Sequence, residues 1–296
     1  MNAIDAAEQA VMVRTWFEVL AEAGVRHQFV APGSRSTPLV QAAHEMAQRK
    51  PAPWQVWPVL DERAAAFAAL GASREGQLAA VICTSGSAVA HLLPATIEAE
   101  RSGHCIVLLT ADRPHGAWQV GAPQAVHQEP ILKSHANFAL VGLQPSFNRR
   151  ANAARALRQA VAEGRPLHVN FHLDTPLALA DATPKPVKGV SPERLQVPDE
   201  QALPPPKRGE RALVVVGALS QDPPKLLAHT MAAAGVQWQV LAEACSNLRG
   251  FLPATAPIRY EAWLRQPAVR AAIRPDRILR FGAWPVSKGL QLLLED

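Results

Sequence analysis

Short apolar segments alternate with amphipathic segments between residues 6 and 173 of the chain. The apolar segments are typical of strands that are buried on both faces of a sheet. In the first amphipathic segment, Val11, Trp16, Val19 and Leu20 fit one buried stripe of a helix, and Gly24 follows as a C-terminal cap. The pattern predicts strands at 27–33, 56–60, 78–86, 105–114 and 166–173, and helices at 6–23, 38–48, 64–70, 87–100 and 152–162.

Strands that alternate with helices in this way predict an α/β fold, in which helices cover both faces of a parallel sheet. Residues 183–210 are rich in proline and charge and lack an apolar period, which indicates a linker between a first domain at 1–182 and a second at 211–296. The second domain has strand patterns at 212–219, 236–244 and 277–283, a helix pattern at 224–234, and the opening turns of another helix at the end of the chain. A doubly wound sheet usually has five or six strands, so we expect this domain to be incomplete.

The composition is that of an ordinary globular protein with a sizeable core. Of the 296 residues, 48% are hydrophobic and 19% are charged, and the formal net charge is +5. The basic residues are spread along the chain, which favours a small anionic ligand over a nucleic acid. The uncharged stretch at 78–97 is too polar to span a membrane, and acidic residues precede any basic residue at the N-terminus, so we expect neither a membrane span nor a signal peptide, and a cytoplasmic location.

The three cysteines lie far apart and have no CxxC spacing. Cys83 and Cys105 fall in apolar strand patterns, so we expect buried free thiols in a reducing compartment rather than a zinc site or disulfides. Other familiar site motifs are absent from the sequence. It has no GxGxxG after a strand, no GxxxxGK[ST], no GxSxG, and no histidines at HExxH or HxH spacing.

Four strand-to-helix turns carry polar residues, and they would meet at the carboxyl edge of a parallel sheet, where ligands bind. Each has a structural and a functional interpretation. Glu62 could favour the start of a helix through the macrodipole, or it could be a carboxylate held in a dry place for proton transfer. Arg35 could be solvated or could bind a carboxylate through its planar fork, and Arg113 could pair with Asp112 or another loop. The turns are APGSRSTP (31–38), DER (61–63), TSGSA (84–88) and DRP (112–114).

Taken together and in order, six sequence blocks resemble one family across the whole chain. They are FVAPGSRSTPL, the DER at 61–63, TSGSAVAHLLPATIEA (84–99), LLTADRP (108–114), GAPQ (121–124) and FGAWPVSK (281–288). They resemble the N-terminal half of the SEPHCHC synthases of menaquinone biosynthesis, which are thiamine diphosphate-dependent transferases. The resemblance implies a pyrimidine-binding thiamine diphosphate domain, followed by the first part of a Rossmann-like central domain.

The resemblance also implies roles for individual residues. Glu62 matches the glutamate that hydrogen-bonds a ring nitrogen of the cofactor's aminopyrimidine, which would make it the catalytic residue of this chain. The enzymes of this family decarboxylate 2-oxoglutarate and add the product to isochorismate, so both substrates carry carboxylates. The positions implied for the cofactor are Pro32, Gly33, Glu62, Thr84, Ser85 and Gly86, and those implied for the substrates are Ser34, Arg35, Arg113, Gln124 and Lys288.

The chain departs from the family pattern in three places. Pro123 stands where the family often has asparagine, Gly289 stands where some members have a second basic residue, and no Gly-Asp dipeptide occurs. The family holds the diphosphate and Mg²⁺ with a GDG-then-Asn segment of a third domain, in a site shared between subunits. We therefore expect no metal ligands in this chain, a homo-oligomer (dimer or tetramer) in the complete enzyme or a separate C-terminal half, and little activity of the chain alone. Two alternatives are a catalytically silent α/β binding or assembly module and a different thiamine-dependent carboligase.

Overall fold

A computed structural model describes residues 5–114, 116–142, 148–184, 207, 209–219, 239–252 and 256–296. The chain divides into two compact units, Met1–Leu195 and Gln196–Asp296. The division falls within the stretch 183–210 that the sequence predicts as a linker, most of which lies outside the described residues. No helix in the described ranges is long and apolar enough to cross a membrane.

The first unit alternates helices and strands as the apolar pattern predicts. Asp5 caps the first helix by accepting the Ala7 amide at 3.1 Å. The elements are α1 (Ala6–Glu22), β1 (His27–Val30), α2 (Thr37–Ala47), β2 (Gln55–Pro58), α3 (Glu62–Arg74), β3 (Ala79–Cys83), α4 (Ala88–His91), α5 (Leu93–Ser102), β4 (Ile106–Asp112), α6 (Glu129–Leu132), β5 (Asn137–Val141), α7 (Arg149–Glu163) and β6 (Leu167–His172).

The six strands form one parallel sheet in the order β2-β1-β3-β4-β6-β5. The predicted α/β class with a parallel sheet is therefore confirmed. In register, Val30 at the end of β1 lies beside Pro58 of β2 and Ile82 of β3. The chain moves from β1 outward to β2 and then returns to the other side of β1 to form β3. This reversal makes the carboxyl ends of β1 and β3 a topological switch point, where ligands of open α/β sheets bind.

Each face of this sheet is covered by its own set of helices. On one face α1, α2 and α7 pack against strand residues such as Ile82, Leu109 and Phe171. On the other face α3, α4 and α5 pack against the alternate strand residues, including Val81 and Leu108. Burial on both faces explains why the central strands are continuous apolar runs. Cys83 and Cys105 are buried free thiols, as the sequence predicts.

The structure differs from the sequence prediction at α4, α5 and β5, and it adds the short helix α6. The single helix predicted at 87–100 is broken at Leu92 into α4 and α5, because Pro94 in the first turn of α5 has no amide hydrogen to continue the ladder. The sequence analysis also omitted strand β5. Its apolar residues Phe138–Val141 are followed by Gly142, which is a strand signal, so the omission was an error of interpretation.

A polar ladder runs through the buried centre of this sheet. The Thr110 hydroxyl donates to Asn170 Oδ1 at 2.7 Å, so it can only accept from His168 Nε2, which lies 2.8 Å away. His168 is 1% exposed, and burial lowers its pKa to about 3. The imidazole is therefore neutral in the folded protein at neutral pH.

This neutral histidine predicts a pH dependence of stability. Below about pH 6.5 the unfolded chain binds a proton at His168 that the folded chain does not bind until about pH 3, so acidification favours unfolding over that window. The loss could reach about 5 kcal/mol near pH 3, at 1.36 kcal/mol per pKa unit. Urea unfolding of the wild type and of His168→Asn between pH 7 and 4 tests this. We expect the free energy of unfolding to fall less steeply with decreasing pH in the variant than in the wild type. Equal slopes of this free energy against pH would contradict the prediction.

The second unit contains a three-stranded parallel sheet, as predicted, in the order β8-β7-β9. The terminal helix predicted from PVSKGLQLLLED is also present and is capped by Ser287. Two short helices before β9 were not predicted, and the predicted helix at 224–234 lies outside the described residues. The elements are β7 (Ala212–Val216), β8 (Gln239–Ala242), α8 (Glu261–Leu264), α9 (Pro267–Ile273), β9 (Arg277–Phe281) and α10 (Lys288–Glu295).

Candidate functional site

The turns after β1 and β3 touch at the switch point of the first sheet. A Cβ atom built on Gly33 would lie 2.4 Å from Thr84 Cβ and 2.7 Å from Thr84 Oγ1, so any larger residue would push the turns apart. Gly33 has an extended backbone that any residue could adopt. Glycine is therefore required here because the two turns lie close together, and not because of an unusual φ. The preceding Pro32 is exposed and Thr84 is partly buried. The two turns that are predicted to bind one ligand are therefore in direct contact with each other.

The loop 121–128 closes over the turn after β3. Gly86 has φ +84°, which favours glycine, and its amide donates to Gln128 Oε1 at 2.8 Å. A Cβ on Gly86 would lie 3.2 Å from the Gln124 carbonyl oxygen, and the side-chain Nε2 of Gln124 donates to the Ser85 carbonyl oxygen at 3.5 Å. Gln124 itself has φ 58° and follows Pro123. The proline thus does not keep Gln124 away from the turn.

Glu62 is the first residue of α3, but it does not cap that helix. The cap is Asp61, whose carboxylate accepts the Ala64 amide at 2.8 Å. Glu62 is partly buried, so it is less enclosed than the functional interpretation anticipated. Burial raises the pKa of the Cys83 thiol at the end of β3, and the charge of Glu62 raises it further. The Glu62 carboxylate therefore acts at the carboxyl end of β3, directly before the turn 84–86.

Arg35 and Arg113 are neighbours at the same edge of the sheet. Arg35 Nη1 donates to the Leu173 carbonyl at 2.9 Å. Burial lowers the pKa of Arg35, and the positive charge of Arg113 lowers it further, while Asp174 and Asp112 oppose this. Two guanidinium groups that repel each other in a partly buried place form a site for an anion with more than one negative oxygen.

Two buried polar atoms just beyond the carboxyl ends of β3 and β4 have no hydrogen-bond partner within the part of the chain that the structure describes. They are Arg113 Nε and Ser85 Oγ, and Ser85 is 1% exposed. Buried polar groups in native proteins normally have partners, so these two unpaired atoms are candidates for contact with a ligand. Ser34, by contrast, is exposed, and its carbonyl accepts the Thr37 hydroxyl at 2.7 Å.

Lys288 belongs to the second unit, where it is the exposed first residue of α10. The loop before it is held by Glu243, a carboxylate 4% exposed that accepts the amides of Val286 at 3.0 Å and Ser287 at 2.6 Å. A Cβ on Gly289 would lie 2.8 Å from Leu264 Cβ and 2.9 Å from the Glu261 carbonyl. A second basic side chain at 289 would therefore require α8 to shift.

The sequence analysis named Asp112 only as a possible partner of Arg113, and it did not single out Gln128 or Asn170, to which Asp112 is linked by hydrogen bonds. Asp112 is buried, and burial raises the pKa of its carboxyl. A signal was present for Asn170, because PLHVNFHL places polar residues inside a strand that is otherwise apolar and buried on both faces. Gln128 gave no comparable signal, since it lies in a polar loop. Among the described residues no group of three or more His, Cys, Asp or Glu side chains is arranged to hold a metal ion.

Comparison with known proteins supports the fold. Residues 12–131 match the family described as "Thiamine pyrophosphate enzyme, N-terminal TPP binding domain". The chain is 37% identical to the 2-succinyl-5-enolpyruvyl-6-hydroxy-3-cyclohexene-1-carboxylate (SEPHCHC) synthase of Geobacillus thermodenitrificans, over 96% of the chain and 51% of that protein. It is 35% identical to the synthase of Bacillus velezensis and 36% identical to that of Synechococcus elongatus, covering 52% of each. The chain thus spans about half the length of the curated relatives it matches.

Proposed function

We propose that this chain, whose residues 12–131 match the N-terminal TPP-binding domain family of thiamine pyrophosphate enzymes, is the N-terminal portion of a SEPHCHC synthase. In that role it would bind the aminopyrimidine end of thiamine diphosphate and the carboxylates of 2-oxoglutarate and isochorismate. The observation that carries the proposal is the contact of the turns after β1 and β3 at the switch point, with Glu62 acting electrostatically on the end of β3 and Arg113 acting on Arg35 of the first turn.

The residues at this edge fit the cofactor's aminopyrimidine. The ring is polar and flat, and the edge offers a carboxylate (Glu62), a buried hydroxyl without a partner (Ser85), and two turns kept narrow by Gly33 and Gly86. When bound, thiamine diphosphate supplies the carbon nucleophile and the electron sink for decarboxylation. Glu62 would hold a proton at the ring nitrogen that it faces, and the protein would supply position and electrostatics.

The arginine pair fits the substrates. Arg35 is fixed by the Leu173 carbonyl, and among the described residues the buried Nε donor of Arg113 has no partner, so both can direct N–H groups at a carboxylate. The substrate carboxylates would relieve the repulsion between the two guanidinium groups, because each anion adds an opposite charge. Gln124 would contribute an amide from the loop above. For Lys288, in the second unit, the family resemblance implies binding of a substrate carboxylate.

Reconstitution tests the proposal. The chain is co-produced with the remaining half of the Geobacillus thermodenitrificans synthase, and a complex is first verified by size-exclusion chromatography. We expect release of CO₂ from 2-oxoglutarate by the complex, with thiamine diphosphate and Mg²⁺ present, and none from either half alone. A stable complex that binds the cofactor but does not decarboxylate 2-oxoglutarate would instead favour a silent binding module.

The chain alone should bind thiamine diphosphate weakly and without any effect of Mg²⁺. The described residues offer the aminopyrimidine a site but present no trio of acidic, histidine or cysteine ligands for a metal. Calorimetric titration with Mg²⁺ and, in parallel, with a chelator measures this. Tight binding that disappears with the chelator would show that the cofactor site is misplaced.

The chain alone should also self-associate through the apolar surface around α3 and the turn before it. Leu60 is 89% exposed and Phe67 is 43% exposed, and we propose that a cofactor-binding domain covers them in the complete enzyme. Sedimentation velocity should show dimers or larger species whose fraction falls in Leu60→Asp/Phe67→Asp. The control Leu140→Asp changes a side chain that is 48% exposed on β5, and it should associate like the wild type.

A further inference from the structure

Gln128 is a buried glutamine, and both atoms of its side-chain amide group are hydrogen-bonded. It is 1% exposed and lies directly before α6. Its Oε1 accepts the Gly86 amide at 2.8 Å, and its Nε2 donates to the Ala111 carbonyl at 3.1 Å and to Asn170 Oδ1 at 2.7 Å. One side chain thus ties the turn after β3 to β4 and β6.

The hydrogen-bond chain continues from Asn170 to the substrate side of the site. Asn170 Nδ2 donates to Asp112 Oδ2 at 2.8 Å, and Asp112 Oδ1 accepts the Arg113 amide at 2.7 Å. Donors and acceptors alternate without conflict along Gly86, Gln128, Asn170, Asp112 and Arg113, which fixes the orientation of both amide groups. One buried network therefore connects the backbone of Gly86, in the turn proposed to face the cofactor, with the backbone of Arg113.

We infer that Gln128 is a positioning residue that sets the Gly86 turn and the Arg113 backbone at a fixed separation. Gly86 adopts a left-handed φ in a turn, where its amide has no helix or strand partner, so the Gln128 acceptor is what holds it. Networks of fully satisfied buried polar groups rigidify their surroundings, and rigid support of a site is what catalytic geometry requires. What the turn and Arg113 bind rests on the proposed function, whereas the positioning itself does not.

The test is amide hydrogen exchange of the full chain, followed by NMR, in Gln128→Leu and Gln128→Glu. In Gln128→Leu the buried Gly86 amide loses its acceptor, and its exchange should accelerate about 10- to 100-fold relative to that of Val81 in β3. Gln128→Glu keeps the acceptor but cannot, as a carboxylate, donate to Asn170. It should leave Gly86 protected and accelerate exchange of the Arg113 amide.

The matched control is Gln28→Leu, which also removes a buried glutamine from this sheet. Gln28 is 0% exposed, and neither of its amide atoms has a partner in the described ranges, so the change should leave Gly86 and Arg113 exchange unaltered. Equal acceleration of Gly86 and Val81 in Gln128→Leu, or the same response in Gln28→Leu, would overturn the inference. No ligand is used, so this outcome is independent of whether the reconstituted complex is active.

Discussion

Glu62→Gln is expected to reduce proton exchange at C2 of enzyme-bound thiamine diphosphate by about 10²–10⁴-fold in the reconstituted complex, the range typical of general acid–base groups. The change keeps the shape of the side chain and removes its negative charge. Glu62 does not cap α3, since Asp61 does so, and it makes no hydrogen bond to the residues that the structure describes. The fold should therefore tolerate the change while the proposed proton transfer fails.

The physical reason lies in the placement of the charge. The charge of the Glu62 carboxylate raises the pKa of Cys83 at the carboxyl end of β3, so it acts on the strand end that precedes the turn 84–86. A carboxylate there can stabilise a proton on a ring nitrogen, but a glutamine amide has no charge with which to do so. The loss would correspond to about 3–5 kcal/mol of transition-state stabilisation, at 1.36 kcal/mol per tenfold.

The matched control for this prediction is Asp61→Asn, which removes the same charge one residue earlier. Asparagine is also a good N-cap, so the helix should be retained and urea unfolding should give a free energy close to that of the wild type. Exchange at C2, followed by NMR in deuterated buffer, should stay near the wild-type rate in Asp61→Asn. If C2 exchanged at the wild-type rate in Glu62→Gln with the cofactor bound, the only role of Glu62 would be a favourable electrostatic interaction with the N-terminus of α3.

The apolar pattern was sufficient to predict five of the six strands of the first sheet, because strands buried on both faces are mostly apolar along their length. Residues such as Ile82 and Leu109 face one helical layer, while their neighbours Val81 and Leu108 face the other. Helix boundaries were less predictable. The break at Leu92 depends on one missing amide hydrogen at Pro94, which periodicity does not register.

The site was predictable only where its residues lie in strand-to-helix turns. Sequence order placed Gly33, Glu62 and Arg113 at one edge, because parallel strands all end there. Two features of the candidate site could be identified only from the structure. The division of roles between Asp61 and Glu62 depends on which carboxylate reaches the Ala64 amide. The buried network beneath the site joins Gln128 to Asn170, which are distant in sequence and adjacent only after β4 and β6 pair.

Replacing Arg35 or Arg113 by alanine is expected to reduce kcat/KM for 2-oxoglutarate or isochorismate by about 10–100-fold in the reconstituted complex. A hydrogen bond to a charged group contributes about 1.5–3 kcal/mol, and each variant removes at least one such donor from a carboxylate. Cofactor affinity should change little, because neither guanidinium lies among the residues proposed to hold the aminopyrimidine. Steady-state kinetics with each substrate varied in turn, and a separate cofactor titration, would measure both effects.

Lysine variants separate a carboxylate clamp from a general positive potential. Lys keeps the charge but cannot reproduce a planar fork, so Arg35→Lys should also lose its contact with the Leu173 carbonyl and recover little activity. The control Arg158→Ala removes one charge from an exposed position on α7 and should leave the kinetics unchanged. If Arg35→Lys and Arg113→Lys matched the wild type, the two guanidinium groups would be attracting the substrates through charge alone. Loss in the lysine variants together with an unaffected Arg158→Ala would instead locate the substrate carboxylates between these two side chains.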